Sequence, residues 1–279
     1  MSDARWPDFL GTVWATMSNH HRGTSLDLGD VPAAYDRAAA TYDKMVNLSP
    51  GYHRHLQSAA DALVELLPAG SGLTVLDLGC GSGLSTDALV NSMGHRGEPF
   101  AAIGLDASAG MLAEAQSKSW PTWVSFVEGR AESLPALVSP GWRPPVAGAG
   151  GAGDSPRVAG VFAAHLFHDI ADRDALLRSI WRLLEPGGVL VVQDCCPAGS
   201  TRARMTWNAV SWSASIPLAK AIVRDTVLYR QLWRSVLDND SVDVFAARML
   251  AAGFVDVEHR TVLGWPRGIR YTFRARKPS

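Results

Sequence analysis

Cysteine is scarce in this 279-residue sequence, and its few positions exclude two common structural roles. Only Cys80, Cys195 and Cys196 are present. An odd number in a chain of this length does not form a disulfide framework, and adjacent cysteines lack the spacing of a zinc site. We therefore expect free thiols in a reducing compartment, a cytoplasmic location and no bound metal.

The sequence also lacks a surplus of charge of either sign. Its 26 lysines and arginines balance 27 aspartates and glutamates, which leaves a net charge of −1. Because proteins that bind nucleic acids carry clustered positive charge, this balance gives no reason to expect a DNA or RNA partner. The C-terminal end is locally basic, with Arg267, Arg270, Arg274, Arg276 and Lys277. Since these cations mostly alternate with apolar residues, they predict the solvated face of a last strand, and contact with anionic lipid headgroups is the alternative.

Long apolar runs are absent as well. No stretch approaches the ~20 residues that a transmembrane helix needs, and the first residues contain no apolar segment typical of a signal peptide. A hydrophobic content of 47% and a charged content of 19% instead indicate a globular protein with a sizeable core.

The most informative stretch is residues 74–83, which read Thr-Val-Leu-Asp-Leu-Gly-Cys-Gly-Ser-Gly. Its apolar beginning predicts a buried strand that ends near Asp77, and the glycines allow a turn whose backbone N–H groups face a ligand. A dinucleotide loop would read Gly-x-Gly-x-x-Gly, but Leu84 occupies the last glycine position of that pattern. A carboxylate before the first glycine also disfavours a pyrophosphate and favours a cationic ligand.

The segments around this motif alternate between strand-like and helix-like patterns. Strands are predicted at 73–78, 100–106, 123–127, 158–164 and 189–192, with helices between several of them. Such repeats imply a parallel sheet with helices on both faces. Two further strands, at 254–262 and 268–276, are too close in sequence for a parallel crossover, so we expect them to pair antiparallel.

The strand, acid and glycine turn resemble motif I of the class I S-adenosyl-L-methionine (SAM)-dependent methyltransferases. The resemblance implies a Rossmann-like α/β fold, in which a seven-stranded sheet has six parallel strands, an antiparallel last strand, helices on both faces and a helical cap. It also implies SAM as the cofactor, with Asp77 and the glycines at its amino-acid end and Asp106 at its ribose. The positions that match cofactor-binding residues of the family are Asp77, Gly79, Cys80, Gly81, Gly83, Asp106, Ala107, Met111, Arg130, Ala131 and His165.

Arg130 departs from the family pattern after the third predicted strand. The family usually has Asp or Asn there, whereas an arginine side chain has no acceptor for the adenine amino group. Adenine recognition is therefore expected from the backbone at 130–131, from Glu132, or from stacking on Arg130.

Candidate catalytic residues follow the fourth predicted strand, in the segment His165-Leu-Phe-His-Asp-Ile170. Because this segment should emerge at the carboxyl edge of the sheet beside the methyl group, His165, His168 and Asp169 are candidates for deprotonating a substrate. The competing interpretation is that His168 is structural. Tyr42 is a third candidate, on a predicted helix that closes over the methyl group, and simple packing of that helix is its alternative.

Within the superfamily, the sequence resembles the C-methyltransferases of ubiquinone and menaquinone biosynthesis. Matching segments include Tyr35-x-x-x-Ala39-x-x-Tyr42-Asp43-x-Met45 and Tyr229-Arg-x-Leu232, and the resemblance covers roughly residues 33–277. It implies methyl transfer to a ring carbon of a prenylated hydroquinone, with the enzyme supplying a base and alignment. That family often has Arg-Asn where this chain has His168-Asp169. An O- or N-methyltransferase of an aromatic natural product is therefore the first alternative, and a non-catalytic SAM-binding protein is the second.

We expect the chain to comprise an N-terminal arm at 1–32 and a methyltransferase domain at 33–279. Lid helices are expected at 33–67, and a helical insert broken near Pro217 is expected at 201–239. A segment rich in Pro, Gly and Ala at 135–157 predicts a long loop. The expected partner is a small aromatic or lipid quinol, while a peripheral membrane contact and a homodimer are further candidates.

Overall fold

The computed structural model describes residues 27–70, 72–94, 100–134 and 157–279. Most of the predicted arm, and all of the predicted loop except Arg157, therefore lie outside the described residues. The described end of the arm differs from the prediction, because Leu28–Asp30 form a 3-10 turn and the first helix begins at Val31. Pro32 lies in the first turn of that helix, where its missing N–H costs no hydrogen bond.

A seven-stranded sheet forms the centre of the described structure. Its strands are β1 (Leu73–Leu78), β2 (Phe100–Asp106), β3 (Val124–Glu128), β4 (Val158–Ala164), β5 (Leu184–Cys195), β6 (Val255–Thr261) and β7 (Arg270–Arg276). They are ordered β3-β2-β1-β4-β5-β7-β6. Strands β1 to β5 are parallel, and β7 is antiparallel to both of its neighbours. Six strands thus share one direction and the last is reversed, which confirms the predicted fold class.

Helices cover both faces of this sheet. They are α1 (Val31–Asn47), α2 (Tyr52–Leu66), α3 (Leu84–Gly94), α4 (Ala109–Gln116), α5 (Arg173–Leu183), α6 (Thr201–Val210), α7 (Ile216–Ile222), α8 (Val227–Leu237) and α9 (Val242–Ala251). Leu76 and Leu78 of β1 join the core under α5 and α9, whereas Val75 joins the core under α2 and α3. Successive side chains of a strand point to opposite faces, so one continuous apolar run supplies both cores. None of the described helices is both long and apolar enough to span a membrane.

A helical cap lies over the carboxyl edge of the sheet. Buried apolar side chains join α1 to α7 and α8, and α6 to α8. The predicted break near Pro217 is wrong, because the chain continues through a π turn at Ser211–Ser215 and Pro217 falls in the first turn of α7. Because the backbone already departs from the i→i−4 hydrogen-bond pattern in this π turn, the missing N–H of Pro217 does not end the helix. The break occurs instead at 223–226, where Arg224 has a φ of 60°.

The prediction of a solvated basic face on the last strand is wrong for two of its cations. Arg270 and Lys277 are only 6% and 8% exposed. The Nζ atom of Lys277 donates to the carbonyl of Leu184 at 2.8 Å and lies 4.2 Å from the ring centre of Trp181. Strand β7 lies between β5 and β6 rather than at the edge of the sheet, and helices α2 and α9 pack against it. Side chains of β7 are therefore covered on the faces of the sheet.

Candidate active site

The turn after β1 borders a cleft at the carboxyl edge of the sheet. Gly79 and Gly81 have φ values of +75° and +54°, a left-handed conformation that glycine adopts readily. A Cβ atom on Gly79 would lie 3.0 Å from Cδ1 of Leu166, and one on Gly81 would lie 3.1 Å from Cε of Met111. The N–H of Gly79 donates to the carbonyl of Leu105 at 2.8 Å. The turn is therefore fixed against β2, and its backbone lines the cleft.

Asp77 is fully buried beneath this turn. Its Oδ2 atom accepts hydrogen bonds from the hydroxyls of Ser85 (2.7 Å) and Thr86 (2.6 Å), so it joins β1 to the first turn of α3. Its Oδ1 atom is buried and has no partner among the described residues. Burial raises the pKa of Asp77 to about 7, against the effect of the two hydroxyl bonds. Gly83 packs against Trp120, and neither Gly83 nor Asp77 lines the cleft.

The raised pKa of Asp77 predicts a pH-dependent stability of the ligand-free protein. Between pH ~4 and pH ~7 the unfolded chain releases this proton while the folded chain retains it, so the free energy of unfolding falls as the pH rises. We expect the Asp77→Asn variant to lack this fall. Relative to the variant, the wild type should lose up to about 4 kcal/mol between pH 4 and pH 8, as measured by urea unfolding. Identical pH slopes for the two proteins would contradict the burial of a titrating carboxyl.

Asp106 ends β2 and faces the same cleft. Its Oδ2 atom accepts the N–H of Gly81 at 2.8 Å, and its Oδ1 atom accepts the N–H of Ser108 at 2.9 Å. Burial raises the pKa of Asp106, and the backbone hydrogen bonds oppose that rise. Each carboxylate oxygen has a second lone pair, so the side chain can also accept hydrogen bonds from two ligand hydroxyls.

The cleft extends from the glycine turn to the segment after β3. It is lined by most of the predicted cofactor positions, namely Gly79, Cys80, Gly81, Asp106, Ala107, Met111, Arg130, Ala131 and His165. At its far end, Arg130 and Glu132 form an ion pair of 3.6 Å. This end is bordered by the backbone at 130–131, the carboxylate of Glu132 and the guanidinium of Arg130. Each of the three predicted ways of recognising adenine is therefore sterically possible.

Helix α1 closes one side of the cleft through side chains spaced seven residues apart. Seven residues make about two helical turns, so Tyr35 and Tyr42 share one face and Asp36 and Asp43 share the neighbouring face. Asp36 accepts hydrogen bonds from the Ser108 hydroxyl (2.6 Å) and the Gly110 N–H (2.8 Å). Asp43 accepts hydrogen bonds from the Ser82 hydroxyl (2.5 Å) and the Lys118 ammonium (2.7 Å). The helix is thus bonded to the loops after β1 and β2.

A row of polar side chains lies at the carboxyl ends of β4 and β5. The Nδ1 atom of buried His168 lies 2.7 Å from Oδ1 of Asp194, and its Nε2 atom lies 3.5 Å from Oδ2 of Asp169. The Asp169 Oδ2 atom also accepts the hydroxyl of Tyr35 at 3.3 Å. Burial would lower the pKa of His168, but the charges of Asp194 and Asp169 raise it to about 9. His168 is therefore protonated near neutral pH.

His165 follows β4 directly and has a left-handed backbone conformation, with a φ of 58°. Its ring stacks on that of Tyr52, with 5.6 Å between the ring centres. Burial, followed by the charge of Arg270, lowers the pKa of His165 well below its ordinary value, so the ring is neutral. Backbone strain of this kind in a non-glycine residue is common at functional sites.

A second cavity of about 430 Å³ lies under the cap, and we call it the cap cavity. It is mostly apolar, and its lining includes Met45, Trp207, Val210, Leu218, Tyr229, Leu232 and Val236. Tyr35, Tyr42, Tyr52 and His165 line both the cleft and the cap cavity, so these four side chains form the boundary between them. Ligands bound in the two spaces would meet at this boundary.

A family model described as a methyltransferase domain matches residues 69–240. The chain belongs to this methyltransferase family. The predictions of family, SAM as cofactor and an enzymatic function are thereby confirmed.

Curated relatives cover nearly the whole methyltransferase. The ubiquinone/menaquinone biosynthesis C-methyltransferase UbiE of Pseudomonas aeruginosa is 28% identical over 89% of each chain. UbiE of Shewanella baltica is 26% identical over 82% of this chain and 84% of its own.

Solved structures of other methyltransferases share the fold. A putative SAM-dependent methyltransferase from Listeria monocytogenes has a TM-score of 0.51 and 18% identity, over 80% of this chain and 100% of its own. A putative methyltransferase from Haloferax volcanii, in complex with the Trm112 activator, has a TM-score of 0.54 and 19% identity, over 88% of this chain and 98% of its own.

The cleft of the methyltransferase suits SAM. Gly79 and Gly81 line the cleft with backbone alone, because neighbouring side chains leave no room for a Cβ there. Asp106 lines the same cleft and has lone pairs for two ribose hydroxyls. When bound, SAM supplies an electrophilic methyl group on its sulfonium. Asp77 and Gly83 shape the turn from beneath, whereas the sequence predicted direct contact for both.

Several residues at the methyltransferase site were absent from the sequence prediction, among them Tyr35, Tyr52, Asp194 and Arg270. Asp194 is the last residue but one of β5 and lies beside His168, and the rule that identified Asp77 and Asp106, an acid near a strand end, would also have found it. Arg270 lines the cap cavity although its pattern indicated a solvated face. No local signal distinguishes a cation on a covered strand from one on an edge strand.

The contacts of α1 predict that loosening this helix weakens SAM binding. The Asp43→Asn variant loses the charge that binds Lys118, and we expect the Kd for SAM to rise about threefold to tenfold. Isothermal titration calorimetry measures this change without a methyl acceptor. The exposed Lys44 lies on the same helix, and the Lys44→Gln variant is the control. Equal affinities in all three proteins would contradict a role of Asp43 in closing the cleft.

Proposed function

We propose that this methyltransferase acts on an apolar hydroxylated aromatic, and specifically on a ring carbon of a prenylquinol-like acceptor. The observation that carries the proposal is the cap cavity, which is apolar and adjoins the cleft at Tyr35, Tyr42, Tyr52 and His165. An aromatic ring with an isoprenoid tail requires such a cavity beside the methyl donor. The names of the UbiE relatives support the same class of acceptor.

In the proposed reaction, a ring hydroxyl of the acceptor loses its proton and negative charge spreads to the neighbouring ring carbon. We assign the base to Asp169, because His168 already carries a proton near neutral pH. Asp169 lines the cleft, and its Oδ1 atom is buried without a partner among the described residues. His168 then stabilises the charge that develops, while Tyr42 aligns the acceptor at the boundary of the two spaces.

An acceptor assay tests the proposal. The protein is incubated with methyl-labelled SAM and either demethylmenaquinol, kept reduced, or simple phenols such as 1-naphthol. We expect transfer to a ring carbon of the quinol, identified by the NMR spectrum of the product. Transfer only to phenol oxygen would contradict quinol C-methylation.

O- or N-methylation of an aromatic natural product is the second candidate function. It is favoured by the His168-Asp169 pair, which replaces the Arg-Asn pair often found in the quinone enzymes. The same assay identifies it, because an O-methyl or N-methyl product differs from a C-methyl product in its NMR spectrum.

We also propose that the mouth of the cap cavity contacts a membrane surface. Leu48 and Leu218 line the cavity yet are 53% and 39% exposed. We expect the protein to float with phosphatidylglycerol-containing liposomes, and the Leu48→Ser/Leu218→Ser variant to float at least threefold less, because it loses apolar area. Leu250→Ser on α9 is the control, since Leu250 is 56% exposed but lies away from the cavity. Equal flotation of the double variant and of Leu250→Ser would contradict this orientation of the protein on the membrane. The homodimer expected from the sequence stays a prediction.

A further inference from the structure

Arg270 places a buried positive charge in the wall of the cap cavity. It is the first residue of β7 and pairs in register with Cys195 of β5. The residue is 6% exposed and lines the cavity. Its Nε atom is buried and has no hydrogen-bond partner among the described residues.

The neighbours of the guanidinium are uncharged. They include the thiol of Cys195, which is hydrogen-bonded to Arg270 and whose pKa burial raises to about 11. The Nη1 atom of Arg270 lies 3.4 Å from Nδ1 of His55, and its Cζ atom lies 5.5 Å from the ring centre of Tyr52. Burial and the charge of Arg270 lower the pKa values of His55 and His165, so both imidazoles are neutral. Within the described part of the chain, Arg270 forms no ion pair with a carboxylate.

Two other cations have partners that the Nε atom of Arg270 lacks. Arg248 is bonded to Asp174 at 2.7 Å and to Asp240 at 2.8 Å. The buried Lys277 donates to a backbone carbonyl and is capped by an aromatic ring. A guanidinium that is buried without an anion costs free energy, which a ligand anion would recover.

We propose that Arg270 binds an anionic oxygen of the methyl acceptor, either an ionised ring hydroxyl or a ring carboxylate. The inference deepens the proposed function and rests on an aromatic acceptor in the cap cavity. Tyr52, under the guanidinium, also lines the cleft, so the bound oxygen lies near the boundary where the methyl group is transferred. Arg270 would thus select acceptors that carry an acidic oxygen on the ring.

Matched pairs of ligands test this selection by binding alone. 1-Naphthoate is compared with its methyl ester, and 2,4-dinitro-1-naphthol, an acidic phenol, is compared with its methyl ether. In the wild type, we expect the anionic member of at least one pair to bind about tenfold to a hundredfold more tightly than the neutral one. The pair that shows the preference distinguishes a carboxylate from an ionised hydroxyl.

Variants at position 270 attribute the preference to this residue. The Arg270→Gln variant should bind both members of each pair with similar affinity, whereas Arg270→Lys should keep part of the preference. Arg267→Gln, an exposed arginine on the preceding turn, is the control and should behave as the wild type. A preference that survives in Arg270→Gln, or one that is absent from the wild type, would overturn the proposal.

Two further readouts separate the possible failures. If neither member of either pair binds the wild type, the aromatic acceptor of the proposed function is itself wrong. The Arg270→Met variant should melt at a higher temperature than the wild type in the absence of ligand, because an uncompensated buried charge is removed. A lower melting temperature would show that the protein compensates this charge internally, and would overturn the inference.

Discussion

Replacing Asp106 with alanine is expected to lower the affinity for SAM about a hundredfold to a thousandfold. Asp106 ends β2 in the cleft, and both carboxylate oxygens have lone pairs for the ribose hydroxyls. Two hydrogen bonds to a charged acceptor contribute roughly 3–4 kcal/mol, and each 1.4 kcal/mol is about tenfold in Kd. The same oxygens hold the N–H groups of Gly81 and Ser108, so the variant also loosens the glycine turn. Isothermal titration calorimetry with SAM measures the loss.

Glu128 provides a matched control for Asp106. It ends the neighbouring strand β3 directly opposite Asp106 in register, but it is exposed and does not line the cleft. The Glu128→Ala variant should therefore bind SAM as the wild type does. Asp106→Asn keeps one oxygen acceptor and should have an intermediate affinity. If Asp106→Ala bound SAM as tightly as Glu128→Ala, the assignment of the ribose site to Asp106 would be wrong.

Replacing His168 with alanine is expected to lower kcat about a hundredfold to ten-thousandfold, the usual range for a group that holds or moves a proton in the transition state. His168 lines the cap cavity and not the cleft, so the affinity for SAM should remain unchanged. Single-turnover rates with the acceptor found in the labelled-SAM assay, together with calorimetry, separate the two effects. Full activity of the variant would show that His168 is structural.

The pH dependence of kcat distinguishes a protonated His168 from a neutral one. The pKa of about 9 means that the charged ring is present below pH 9 and is lost as the pH rises through 9. We expect the activity of the wild type to fall over that range. Asp194→Asn removes a carboxylate that raises this pKa, so the fall should move to lower pH. An unchanged alkaline limb in Asp194→Asn would contradict the coupling of the two residues.

Much of the fold follows from local patterns in the sequence. Four of the five predicted parallel strands overlap their observed ranges closely, because apolar runs between turn signals identify buried strands. The fifth is longer than predicted, since the segment from Leu184 that follows α5 already belongs to β5. The predicted break near Pro217 is absent, because the effect of a proline depends on the local hydrogen-bond pattern of the helix. The π turn just before Pro217 changes that pattern, and the sequence did not reveal the π turn.

The cofactor half and the acceptor half of the site differ in how much of each the sequence predicted. The glycine turn, Asp77 and Asp106 belong to short segments whose conformation is set by nearby residues, and these segments identify a cofactor site. The pairing of His168 with Asp194, 26 residues away, requires that β4 and β5 be neighbours in the sheet. The contact of Tyr35 with Asp169, 134 residues away, requires that α1 pack over the carboxyl edge.

The sequence by itself determined repeated βα units and a cofactor turn, and its resemblance to motif I of the class I methyltransferases implied SAM and a sheet with six parallel strands and one reversed strand. Strand periodicity, turn glycines and acids at strand ends are local features, so they are readable without the fold. Only the tertiary structure decided which side chains surround the acceptor, because strand order and cap packing bring distant residues together. Arg270 illustrates the difference, since its charge is buried in the wall of the cap cavity, which the packing of the cap over the sheet creates.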